Sequence, residues 1–402
     1  MAYRIKQFAI LAIVLTTTLL SSQLIPTVFC TDIPSEKAKL DDWIGKSIKD
    51  YNHRKTKLNH TKSPLYDILA AAEAHVKVIT VKKDGSGDFK TVTDAIKSVP
   101  AGNSQRVVIK IGGGEYREKI IIDRSKKFIT LYGDPNELTK IVYDGTATKY
   151  GTFNSATVIV ESHYFVAVNI AFVNSSPMPD SRRTDAQAVA LRISGDKAAF
   201  HNCKFAGFQD TLCDDKGRHF FRDCYIEGTV DFIFGNGQSL YLNTTIKSVA
   251  KGLGVITANG REKATEKSGF TFVHCTIVGT GDIYLGRAWK ESPRVIFAYT
   301  YMGTLINSEG WSNSMIGEKD NKAVYYGEYK CKGPGASASG RAKFARILSD
   351  EEAEPFLSMT YLNGNKWILP PPTLTKASLT HPLNMDSRPP PPEGGRSRRI
   401  GA

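Results

Sequence analysis

The sequence predicts an all-β solenoid, a parallel β-helix, and two observations carry that reading. From Val78 onward the chain runs in short β-branched and aromatic stretches, such as Val107–Ile111, 128–132 and 157–160, broken by glycine and asparagine and without long helical periodicity. A motif also recurs: Val168-Asn169-Ile170-Ala171-Phe172, His201-Asn202-Cys203-Lys204-Phe205, Arg222-Asp223-Cys224-Tyr225-Ile226, Leu242-Asn243-Thr244-Thr245-Ile246, Val273-His274-Cys275-Thr276-Ile277 and Ala298-Tyr299-Thr300-Tyr301-Met302, with central residues 33, 21, 20, 31 and 25 positions apart. Imperfect repeats of this length mark coils stacked on one another, the longer intervals being loops that bulge from a coil. A β-sandwich would share the short strands but not the repeat.

The elements follow in order. Residues 1–30 read as a secretory signal peptide, because Arg4 and Lys6 precede an uncharged apolar run at 8–20 and then small and polar residues. That run is shorter than the roughly 20 residues a membrane span needs, so cleavage is expected and no membrane association after it. Residues 31–76 form a short polar leader with one helix, Ser63 capping, Pro64 in the first turn and an alanine-rich run at 65–76. Residues 77–368 are the β-helix body. The stretch 369–402, with Pro370-Pro371-Pro372, a second proline run at 389–392 and basic residues to the end, reads as an extended, disordered tail.

Secretion admits disulfides among Cys30, Cys203, Cys213, Cys224, Cys275 and Cys331, an odd number once Cys30 is cleaved away, and glycans on the sequons at Asn59, Asn174 and Asn243. The formal charge is +13; losing Arg4 and Lys6 leaves about +11, which draws the protein to polyanions. With no zinc finger, RNA-binding sheet motif or basic helix, nucleic acid is not the expected partner and an acidic polysaccharide is. Nothing marks a dimer surface, so a monomer is expected.

In a solenoid, residues one coil apart lie side by side, about 4.8 Å from each other. Asp210 and Asp231 are 21 apart, the interval that separates Cys203 from Cys224, so both carboxylates are expected on one face of adjacent coils. Gln187, 23 before Asp210, falls on the coil before, and Gln209 flanks the first carboxylate. Two carboxylates this close resist joint ionisation, which leaves one as an acid and one as a nucleophile. Stacked Asn and Asp ladders along a β-helix can also be purely structural. His163, His201, His219 and His274 have no metal-ligand spacing, no Gly-x-Ser-x-Gly elbow occurs, and neither metal nor cofactor is expected.

Several blocks carry a resemblance. Gly207-Phe208-Gln209-Asp210-Thr211-Leu212, Asp231-Phe232-Ile233-Phe234-Gly235 and Leu285-Gly286-Arg287-Ala288-Trp289 resemble three signature blocks of plant pectin methylesterases of the kind without a long inhibitor-like pro-domain. Gly114-Glu115-Tyr116-Arg117-Glu118, Gln187-Ala188-Val189-Ala190-Leu191 and the opening Asp84-Gly85-Ser86-Gly87-Asp88-Phe89 are similar to others of that family, in its order. The resemblance implies a right-handed parallel β-helix and hydrolysis of methyl-esterified homogalacturonan in the cell wall, with a proteinaceous inhibitor as a further partner. It implies Asp231 as nucleophile, Asp210 as general acid and then base, Gln187 and Gln209 as oxyanion donors, and Arg287 as the orienting partner of Asp231. Trp289, Phe234 and Trp311 would wall the sugar site. Ala288 replaces a frequent proline and Cys213 a frequent tyrosine. The rivals are a pectin depolymerase on a similar solenoid and a non-catalytic pectate-binding wall protein.

Overall fold

The computed structural model describes residues 32–57, 64–180, 185–314 and 323–368, with backbone alone at 50–57 and 64–67. The signal peptide, the basic tail and Asn59 lie outside the described residues.

Short parallel strands wind into coils, and from Val107 to Ala288 each coil contributes strand to three faces. Among the described residues, sheet 1 has eleven parallel strands, from Lys77–Val81 to Ala345–Ile347. Thirteen further strands build the other two faces, and the long strand Thr245–Asn259 joins them, pairing with Tyr225–Gly228 of sheet 2 at one end and with Ile233–Gly235 of sheet 3 at the other. One short coil runs Ala198–His201, Lys204–Ala206 and Leu212–Asp214 before re-entering sheet 1 at Arg218–Arg222.

The recurring motif is the corner from sheet 1 to sheet 2. Its second residue has left-handed backbone in each copy: Asn169, Asn202, Asp223, Asn243, His274 and Tyr299 have φ between 50° and 58°. Asn and Asp tolerate this conformation better than other non-glycine residues. The corner residues also form a ladder, with Asn202 Nδ2 donating to Asn169 Oδ1 (2.9 Å) and Asn243 Nδ2 to Asp223 Oδ1 (2.7 Å).

Inside, like stacks on like. Phe200, Phe221, Tyr241, Phe272 and Phe297 follow one another in register, with ring centroids 4.5–4.7 Å apart and nearly parallel rings. Cys203, Cys224 and Cys275 sit one residue past the corner, buried as free thiols, and Cys213 and Cys331 are also free. No disulfide forms among the described residues, and burial pushes the Cys203 and Cys275 thiols up to about 12, where they are inert.

The expected leader helix is Pro64–Ala74, and a second helix, Leu40–Lys57, precedes it. Leu40 and Ile33 bury against the outer face of sheet 1 with Leu240, Leu242, Val273 and Ile296, beside the turns at 353–367. One sequon expectation fails. Asn174 is 3% exposed and its Nδ2 donates to the Gly145 and Val189 carbonyls (2.8 and 2.9 Å), so the folded protein has no room for a glycan there.

Candidate active site

The outer face of sheet 3 carries one row across the coils: Ile121, Ile159, Arg192, Cys213, Phe234, Ala258 and Arg287 are successive register partners. Asp210 and Asp231 stand at the corner where their coils enter this face. Both have left-handed backbone, φ 63° and 50°. Asp210 N–H donates to the Val230 carbonyl (3.1 Å) and Leu212 pairs with Ile233, so the two aspartates occupy equivalent positions on adjacent coils.

Their surroundings differ. Arg287 donates from Nε to Asp231 Oδ1 (2.8 Å) and Oδ2 (3.1 Å), and its Nη2 also bonds Oδ2. This fork holds the carboxylate in one orientation, and the Asp231 side chain is 11% exposed. Asp210 makes no ion pair among the described residues. Burial first, and then the charge of Asp231 beside it, hold its carboxyl well above the usual range, with Arg287 partly offsetting them. The two neighbouring carboxyls therefore stand in unequal surroundings, one buried without an ion pair among the described residues and the other gripped by a guanidinium.

The glutamines flank this pair. Ala188 N–H donates to the Gln209 carbonyl (3.2 Å), which sets Gln187 beside Gln209 rather than directly in line with Asp210. Both are half-buried, and Gln187 Oε1 is buried with no partner.

Three aromatic rings gather on the row. Trp289 is half-buried and lies over Gly260, where a Cβ would come within 2.7 Å of the indole. Phe234 is 4% exposed, a floor rather than a wall, with its ring centroid 5.9 Å from that of Trp289. Phe153, which sequence reasoning missed, lies 6.3 Å from both rings and is 37% exposed. Its signal was slight, a single aromatic in a loop with no strand pattern. The Arg192 guanidinium lies 5.3 Å from the same ring, so Phe153 lies beside both register neighbours of Cys213, whose side chain is fully buried.

Trp311 corrects an expectation. It has no exposure, stacks on Tyr326 at 4.2 Å and donates Nε1–H to Glu328 Oε1 (3.1 Å), so it is part of the interior and presents no face to a sugar. Ala288, also buried, pairs with Asn259 in the ladder. No group of three or more His, Cys, Asp or Glu is placed to hold a metal among the described residues.

A parallel β-helix with an acid, an oriented carboxylate and flanking amides on one face has the parts of a carboxylic ester hydrolase. The pectinesterase family profile matches residues 78–365. Putative pectinesterase 63 of Arabidopsis thaliana is 56% identical over 294 residues, covering 73% of this chain and 87% of its own. Among solved structures, the pectin methylesterase from carrot superposes with a TM-score of 0.68 at 34% identity, over 72% of this chain and 94% of its own. A pectin methylesterase in complex with a hexasaccharide superposes with a TM-score of 0.62 at 29% identity, over 74% and 99%. The chain belongs to the pectinesterase family and is a carboxylic ester hydrolase.

Proposed function

We propose that the protein is secreted and hydrolyses the methyl esters of homogalacturonan in the cell wall, giving free carboxylate and methanol. Asp231 Oδ attacks the ester carbonyl carbon, and the resulting oxyanion accepts hydrogen bonds from the side-chain amides of Gln187 and Gln209. As the C–O bond to the methoxy group breaks, Asp210 gives its proton to the leaving oxygen and methanol departs, leaving an anhydride between Asp231 and the sugar acid. Asp210, now a carboxylate, takes a proton from water, and that water attacks the anhydride. The sugar carboxylate leaves, Asp231 is regenerated and Asp210 is again protonated. Arg287 orients the nucleophile throughout. Trp289 and Phe153, with Phe234 beneath them, offer the apolar platform against which a pyranose ring packs.

The observation that carries this reading is the inequality of two neighbouring carboxyls, Asp210 raised by burial and by its neighbour and Asp231 forked to Arg287. The family's activity and the hexasaccharide complex of its relative support the substrate class.

A methanol-release assay on methylated pectin, with viscosity followed in parallel, tests it. Methanol should appear without chain shortening; falling viscosity with new chain ends would favour a depolymerase. Asp231→Asn and Asp210→Asn should abolish release, and Gln187→Ala or Gln209→Ala should lower kcat by about 10²–10³, the cost of one oxyanion donor. Near-normal turnover in either aspartate variant would refute the assigned roles.

A further inference from the structure

Asn174 closes the strand Ile170–Asn174 of sheet 2 with its side chain buried. Nδ2 donates to the Gly145 carbonyl (2.8 Å), the Val189 carbonyl (2.9 Å) and, more weakly, the Ser155 carbonyl (3.4 Å), while Oδ1 accepts from Ser176 N–H (3.0 Å). Gly145 and Ser155 are the two feet of an excursion that holds the helix Ala147–Tyr150 and the turn Phe153–Ser155. The feet approach so closely that a Cβ on Gly145 would lie 2.4 Å from the Ser155 carbonyl oxygen. Val189 is two residues beyond Gln187.

Other bonds run between the same segments. Ala147 N–H donates to the Gln187 carbonyl (2.8 Å), Val189 N–H to Ser155 Oγ (3.1 Å) and Thr157 N–H to the Val189 carbonyl (3.0 Å). From the other side Lys119 Nζ reaches the Asn154 and Ala156 carbonyls (2.5 and 2.7 Å). One buried amide therefore ties the loop that carries Phe153 to the backbone that carries Gln187.

We propose that Asn174 is a positioning residue for the oxyanion site. It acts through the backbone: it holds the Val189 carbonyl two residues beyond Gln187 and, at Gly145, the start of the loop whose Ala147 N–H bonds the Gln187 carbonyl, and so aims the Gln187 amide, an inference that rests on the oxyanion role given to Gln187 above. The chemistry needs an amide. Aspartate has no N–H to give the two carbonyls and would face them with negative charge, while alanine removes their shared donor, leaving the Val189 carbonyl to Thr157 N–H alone (3.0 Å) and the Gly145 carbonyl to a long contact from Ser176 Oγ (3.4 Å).

The test is a double-mutant cycle between Asn174→Ala and Gln187→Ala, with kcat, KM and thermal midpoint measured for each variant. Asn174→Ala should lower kcat by about tenfold or more, since a small misplacement near the chemistry is costly, and leave KM within about twofold. In the Gln187→Ala background the same substitution should change kcat by less than about threefold. Should Asn174→Ala not fold, Ser155→Ala, which removes the acceptor of Val189 N–H and the bond from Ser155 Oγ to the Thr152 carbonyl (2.7 Å), is read in the same cycle and should show a smaller loss with the same coupling. Unchanged kcat in a folded variant, or a full loss repeated in the Gln187→Ala background, would overturn the inference alone. Wild-type turnover in Gln187→Ala itself would overturn the oxyanion role, and this inference with it.

Discussion

Asp210 is held in a state that its fold makes costly. Its carboxyl is raised from the ordinary value of 3.8 chiefly by burial, so the folded protein binds this proton more tightly than the unfolded chain does. Stability is then whole below pH 3.8 and is lost as pH rises through the folded value. Asparagine keeps the shape without the charge. Asp210→Asn should therefore be inactive yet more stable than the parent at pH 7, with the gap in thermal midpoint shrinking to nothing as pH falls to 3.8; each kcal/mol relieved is worth roughly 2–4 °C. Equal midpoints at pH 7 would mean that the site is not strained in this way. Gly260 leaves room for the Trp289 ring: Gly260→Ala puts a methyl group 2.7 Å from it, and the displaced ring should raise KM several-fold on pectin with little change in kcat. At this scale the carboxylate pair was legible because the interval 210–231 equals a coil length and the register preserves it. Trp311 and Trp289 were not separable in the same way. Which face an aromatic takes depends on where the strand parity resets at a corner, and spacing does not reveal that.

The coil corner is the element on which the solenoid depends, and its left-handed residue explains why Asn and Asp recur in the motif. Asn202→Ala removes both the preferred backbone and the bond to Asn169 Oδ1. A left-handed alanine costs about 1–2 kcal/mol and the lost bond about 1 more, so the urea midpoint should fall measurably with an unchanged slope. Asn202→Gly, which keeps the backbone freedom, should recover most of the loss; a glycine variant as weak as the alanine one would assign the effect to the side-chain ladder alone. Corners were readable in the sequence because they impose a residue type. The helix Leu40–Lys57 was not foreseen, since its polar composition hides the few apolar positions, and such a helix is stabilised by the sheet it covers more than by its own propensity. The loop at 145–155 was equally hidden, because its shape is set by Asn174, a residue that looked like a glycan acceptor until its surroundings were known.

The whole molecule combines a long-range field with a short-range site, and salt separates the two. The formal charge, +13 for the full sequence and about +11 once Arg4 and Lys6 are lost, attracts a polyanion over distances of about a Debye length, near 10 Å at 0.1 M salt and 3 Å at 1 M. The paired carboxyls stand in a different regime: Asp210 and Asp231 are each 8% exposed and the Arg287 fork is a direct contact, so added ions screen them little. Raising sodium chloride from 0.05 to 0.5 M should therefore raise KM on a partly de-esterified pectin by roughly tenfold, the order expected when exposed charges steer the encounter, and leave kcat within about twofold. On a fully methylated, uncharged oligomer the KM effect should vanish, because the field then has nothing to act on. If kcat fell in parallel with kcat/KM, the ion pair at Asp231 would be open to solvent during turnover. If KM were flat on the charged substrate, the excess of basic groups would contribute nothing to capture.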